Sequence, residues 1–134
     1  MTVLLSLLLV HLLADFPLQT KRMALHKQRN RRILVQHLAV HGALMLFVLA
    51  LFVIRGTLSL ESAGLLGGSI LVFHALLDAS PLKRRVKQAA AYWIDQALHI
   101  AAIIALTWLF VPIDWSLSFS RPEQVLWILC FSLV

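Results

Sequence analysis

The sequence predicts an all-α integral membrane protein, a helical bundle with four core transmembrane helices and a short or truncated fifth. Three observations carry that expectation. Of the 134 residues, 60% are hydrophobic and only 13% charged, far from the balance of an ordinary soluble domain. The apolar residues are gathered into long blocks, as membrane spans require. Ten of the twelve Lys and Arg lie in just two of the connections between blocks, an asymmetry that orients membrane proteins. A chain this short makes one domain, residues 1–134. The single cysteine, Cys130, excludes an intrachain disulfide and a thiolate cluster.

The first block is MTVLLSLLLVHLLADF, a helix over about 2–16. At ~1.5 Å per residue it spans about 24 Å, near the lower limit for a crossing. A cleaved signal peptide would carry its positive charge before the apolar run. Here the charge follows, so the reading is an uncleaved helix ended by Pro17. Residues 18–32 form a loop with Lys21, Arg22, Lys27, Arg29, Arg31 and Arg32 and no acid. A second helix covers about 33–54, and a short polar turn leads to a third over about 62–79. Pro81 breaks it, and Lys83, Arg84, Arg85 and Lys87 follow in a second basic loop, 81–88. A fourth helix runs over about 89–111 and stops at Pro112. A fifth apolar run, 123–134, ends at Val134, too soon for a comfortable crossing.

The positive-inside rule puts both basic loops in the cytoplasm and the N-terminus outside. The basic residues then act as topology signals and contacts to anionic lipid. Nucleic-acid binding is not expected, despite the net charge of +6. The expected partner is the lipid bilayer, and the sequence sets no oligomeric state.

Within the apolar blocks, polar residues recur at a single spacing. His11/Asp15, His37/His41, His74/Asp78 and Asp95/His99 are all i,i+4 pairs, so each pair shares one helix face. They use five of the six histidines and three of the six acidic residues. With the helices alternating in direction, all four pairs fall in the cytoplasmic half. His11, His41, His74 and His99 form the deeper layer, and Asp15, Asp78, Asp95 and His37 the shallower one. The pattern His-x3-Asp, basic loop, polar-x3-His occurs twice, which suggests a pseudo-twofold axis along the membrane normal and a site at the bundle centre.

A carboxylate near the middle of a spanning helix costs roughly 2.5–3.5 kcal/mol on insertion scales. The available remedies are protonation, ion pairing and metal binding. The basic residues are read as lying too far out, in loops, to pair with the deep groups. Two divalent ions and a bridging hydroxide would neutralise three carboxylates. One ion, with some pairs orienting the ligands, is the competing arrangement. Imidazole and carboxylate donors suit Zn, Fe or Mn. The metal-free alternatives are a proton relay and polar glue between helices. His26 is read as a surface residue; Gln19, Thr20 and Gln96 as flanking the site; Gln36 as interfacial or flanking; and Gly42, Gly64, Gly67 and Gly68 as points of close helix approach.

The segments HLLADFPLQT, HLAVH, HALLD and DQALH resemble a family of bacterial inner-membrane proteins catalogued as domain of unknown function 3307. The resemblance covers about residues 8–105. Many members are longer, and the stop after Val134 departs from them. The resemblance implies a multi-pass protein of the inner (plasma) membrane, distantly like membrane-bound metal-dependent hydrolases. It implies a metal site on His11, Asp15, His37, His41, His74, Asp78, Asp95 and His99. The functional expectation is a membrane-embedded hydrolase that activates water with a divalent metal. Asp15, Asp78 or Asp95 would be its general base, and a lipid-linked or phosphoester compound its substrate. A non-catalytic metal-binding or transport protein, a di-iron oxidoreductase and a structural subunit with a polar core are the alternatives.

Overall fold

The computed structural model describes residues 1–80 and 88–111. The expected fifth helix over 123–134 and residues 81–87 of the second basic loop lie outside them. The described residues are helical, with no strand among them. The helices are α1 (Thr2–Asp15), α2 (Lys21–His26), α3 (Arg31–Ile54), α4 (Leu60–Ala79) and α5 (Gln88–Phe110).

Local chemistry explains the boundaries. The Asn30 side chain accepts the N–H groups of Arg32 and Ile33, so α3 starts two residues earlier than hydropathy suggests. Ser59 accepts the N–H of Ser62 in the same way and starts α4. Between them, Gly56 takes φ +68. Gly56 N–H donates to Val53 O and Thr57 N–H to Phe52 O, the hydrogen-bond pattern of a glycine-closed helix end. Ser80, which precedes Pro81, is extended, the backbone that a following proline favours.

The loop expected over 18–32 holds a helix. Thr20 accepts the N–H of Met23 and opens α2. After α2 the N–H groups of Arg29 and Asn30 both return to His26 O. The chain thus reverses between two capped helices, and α2 lies against α3.

Helix contacts run α1–α3, α3–α4, α4–α5 and α5–α1. This closed ring sets α1 across from α4 and α3 across from α5. Those diagonal pairs are the ones that the internal sequence repeat relates.

The interior divides by height. One end is an apolar core of Val3, Leu7, Met45, Leu49, Leu66 and Ile103, with neighbours of the same kind. The other end holds the His and Asp pairs, because they lie late in α1 and α4 and early in α3 and α5. The outer surface is also apolar: Leu46, Phe47, Ile54, Val72, Leu76, Trp108 and Leu109 are all exposed. Helices α3, α4 and α5 are long and apolar enough to cross a membrane. Helix α1 is apolar but has 14 residues, or about 21 Å, less than the ~30 Å hydrocarbon core.

The glycines divide against expectation. A Cβ on Gly67 would lie 2.9 Å from Leu49 Cδ1, and one on Gly42 would lie 3.7 Å from Leu71 Cδ2. Gly64 and Gly68 have nothing within 4 Å. They line an apolar groove of about 460 Å³ between α3 and α4 rather than a tight helix contact. Gly67→Leu is therefore expected to lose about 1–3 kcal/mol by overpacking. Gly68→Ala should be neutral or gain up to about 1 kcal/mol of helix propensity. Thermal unfolding in detergent measures both, and equal effects would contradict the packing described.

Candidate metal centre

The i,i+4 spacing delivers two side chains from each of the four ring helices to one end of the bundle. All eight residues are buried: His11 and Asp15 on α1, His37 and His41 on α3, His74 and Asp78 on α4, Asp95 and His99 on α5. They form two tiers. Four imidazoles form a closed circuit with ring centroids 5.7 Å apart for His11–His41, 3.9 Å for His41–His74, 4.3 Å for His74–His99 and 5.3 Å for His11–His99. Beside them His37 Nε2 lies 3.2 Å from Asp15 Oδ1 and 3.2 Å from Asp78 Oδ2. His41 Nε2–H donates to Asp15 Oδ1 at 2.8 Å. Asp95 stands at the edge of this array, with Oδ1 3.5 Å from His99 Nδ1.

One part of the sequence reading is overturned here. The basic residues of the first connection are not all beyond reach of the buried carboxylates. Lys21, Arg22, Arg29, Arg31 and Arg32 are exposed, but Lys27 is buried. Its Nζ donates to Asp78 Oδ1 at 2.8 Å and lies 3.1 Å from His37 Nε2. The reversal between α2 and α3 turns this one side chain inward. A visible trace of it in the sequence is the pair of cap residues, Thr20 and Asn30, which imply a helix and a sharp turn inside the basic segment.

The contacts at His37 demand more than an imidazole can supply. A nitrogen of a neutral ring either donates or accepts, never both. If Nε2 accepts a hydrogen bond from Lys27, its lone pair also faces the two carboxylates. If Nε2 carries the proton, Lys27 faces a second donor. His74 Nε2, 3.2 Å away, adds a further competitor. No protonation state of His37 satisfies every contact. The spacing of Asp15, His37, His41 and His74 fits a bound cation. A tetrahedral ion with bonds of about 2.0–2.1 Å sets its ligand atoms about 3.3 Å apart.

Two further histidines are left with unused nitrogens. His99 Nδ1–H donates to the Asp95 carbonyl oxygen at 2.8 Å. That bond fixes the tautomer, leaving a bare Nε2 that is buried without a hydrogen-bond partner. Metal-binding histidines are commonly oriented in this way. Both ring nitrogens of His11 are also buried and unpartnered, at a cost of about 1–3 kcal/mol for each such group. Among the described residues two sets of atoms are close enough to hold an ion: Asp15, His37, His41 and His74, and His74, Asp78 and His99. Asp95 belongs to neither set.

A cavity of about 410 Å³ adjoins the cluster. Asp15, Gln19, Lys27, Tyr92, Asp95 and Gln96 line it, together with apolar Ala24, Leu25 and Ala91. Gln96 Nε2 donates to Asp15 Oδ2 at 3.1 Å, and Gln19 Nε2 lies 3.4 Å from His37 Nδ1. Thr20 is a helix cap rather than a site residue, and Gln36 and His26 are exposed.

A family model described as "Protein of unknown function (DUF3307)" matches residues 3–126. The chain belongs to this family. No curated protein and no solved structure matches it. The matched span of the DUF3307 chain takes in all eight His and Asp residues and Lys27. The family description assigns no activity.

The Lys27–Asp78 pair gives a direct test of the geometry. Removing one member of a buried ion pair leaves the other charge uncompensated, at about 3–5 kcal/mol, whereas replacing both is often close to neutral. In metal-free protein, Asp78→Asn should therefore be strongly destabilising, and Lys27→Met/Asp78→Asn should recover most of the loss. Denaturant unfolding in detergent measures the difference. Additive losses would mean that the two residues do not interact.

Proposed function

We propose that this protein is a membrane-embedded, divalent-metal-dependent hydrolase of the bacterial inner membrane. Its substrate would be a lipid-linked or phosphoester compound reached from the cytoplasmic side. The observation that carries the reading is the buried cluster of five imidazoles and three carboxylates beside a polar cavity. The apolar outer faces of α3, α4 and α5 support insertion in the bilayer, with the basic segments cytoplasmic. The donor set of imidazole nitrogen and carboxylate oxygen without thiolate favours Zn, Fe or Mn.

When bound, such an ion supplies Lewis acidity, which acidifies water and polarises the scissile group. The chain's own residues divide the remaining work. His37, His41, His74 and Asp15 hold the ion. Gln96 fixes the Asp15 carboxylate through a hydrogen bond. Asp78 is wholly buried and tied to Lys27, which leaves it poorly suited to moving protons. Asp15 and Asp95 both line the cavity, and Asp95 stands outside both ligand sets. Asp95 is therefore the favoured general base. Ala24, Leu25 and Ala91 give the cavity an apolar wall against which a lipid-linked group can lie.

The cavity also separates this reading from metal transport. Transport needs a polar path through the bundle. Beneath the histidines lies a void of only about 20 Å³, walled by Leu7, Val10, Met45, Ile70, Leu71 and Ile103 as well as imidazoles, and the apolar core follows.

Protein loaded with Zn, Fe(II) or Mn is expected to cleave a member of a lipid phosphoester panel. Asp95→Asn should lower turnover by about 10²–10⁴-fold while keeping the metal. Mass spectrometry of the panel provides the readout. If the loaded protein cleaves no compound that His41→Ala leaves intact, the hydrolase reading fails.

A further inference from the structure

The two ligand sets meet at His74, an arrangement that invites a two-metal reading. Lys27 argues against it. Its ammonium is 2.8 Å from Asp78 Oδ1, and Asp78 is the only carboxylate of the second set. Lys27 Nζ also lies 3.1 Å from His37 Nε2 of the first set, but the carboxylate of that set, Asp15, meets His41 and Gln96 rather than an ammonium. The four members of the first set, from α1, α3 and α4, bring one carboxylate and three imidazoles to a single locus.

A second divalent ion would be set against an ammonium already seated on its carboxylate, and like charges brought together in a buried site are costly.

We infer that Lys27 stands in for a second metal ion. The centre takes one divalent cation, at Asp15, His37, His41 and His74, and the Lys27 ammonium occupies the place at Asp78 that a second cation would otherwise fill. This rests on the reading of the cluster as a metal centre. Lys27 is a positioning residue, tethered by the α2–α3 reversal. Its removal opens the second set rather than destroying the first.

The test is metal stoichiometry. Tag-free protein in detergent is equilibrated with excess Zn²⁺, freed of loose ion on a desalting column, and measured by inductively coupled plasma mass spectrometry. The wild type is expected to hold one Zn per chain, Lys27→Gln two, and Lys27→Arg one. The double variant Lys27→Met/Asp78→Asn keeps the first set intact and is expected to hold one, so it remains informative if Lys27→Gln does not fold. Two ions in the wild type, one in folded Lys27→Gln, or none in the double variant would overturn the inference while leaving a metal centre in place. No zinc in any form would overturn the metal reading and the inference together.

Discussion

Asp15, Asp78 and Asp95 are buried in a bundle whose outer surface is itself apolar. Taking a carboxylate out of water costs several kcal/mol even after a protein relaxes around it. Three at one end of a short bundle have to be compensated where they stand. Everything distinctive about the structure follows from that constraint. Imidazoles are layered against the carboxylates, a lysine is folded back from a surface loop, and the buried His and Asp side chains are confined to one end of the helices.

The division of the bundle by height is its simplest consequence. At one end Leu, Val, Met and Ile side chains fill the interior and hold the four ring helices at fixed spacing. At the other end that same spacing brings imidazole edges together, with the His41 and His74 rings 3.9 Å apart at their centroids. The apolar end is the rigid base that keeps ligand atoms in place without further scaffolding. The polar cavity opens beside the cluster, where α5 begins and α2 crosses.

The convergence of the eight buried His and Asp residues at one end of the bundle was legible in the sequence, because each i,i+4 pair lies on one helix face and helix direction supplied its relative height. The repeat suggested a pseudo-twofold axis, and the contacts place the helices it relates, α1 with α4 and α3 with α5, across the ring from each other. Lys27 was not legible. It lies among five other basic residues of the same connection, and its inward turn depends on two side-chain caps acting together at Thr20 and Asn30. Periodicity says nothing about a residue in a reversal. The glycines show the same limit: Gly67 and Gly68 are adjacent in sequence, but only Gly67 faces Leu49 closely. Spacing alone does not tell which of two neighbours meets the partner helix.

The buried, unbonded Nε2 of His99 and the convergence of Asp15, His37, His41 and His74 are the sharpest signs that a cation belongs in the cluster. The most direct measurement is X-ray absorption at the metal edge on protein purified without a polyhistidine tag. The expected result is a bound Zn, Fe or Mn whose nearest shell is imidazole nitrogen and carboxylate oxygen, with no sulfur. A preparation without a metal edge, or an ion surrounded by oxygen with no imidazole scattering, would contradict a metal centre built on these histidines.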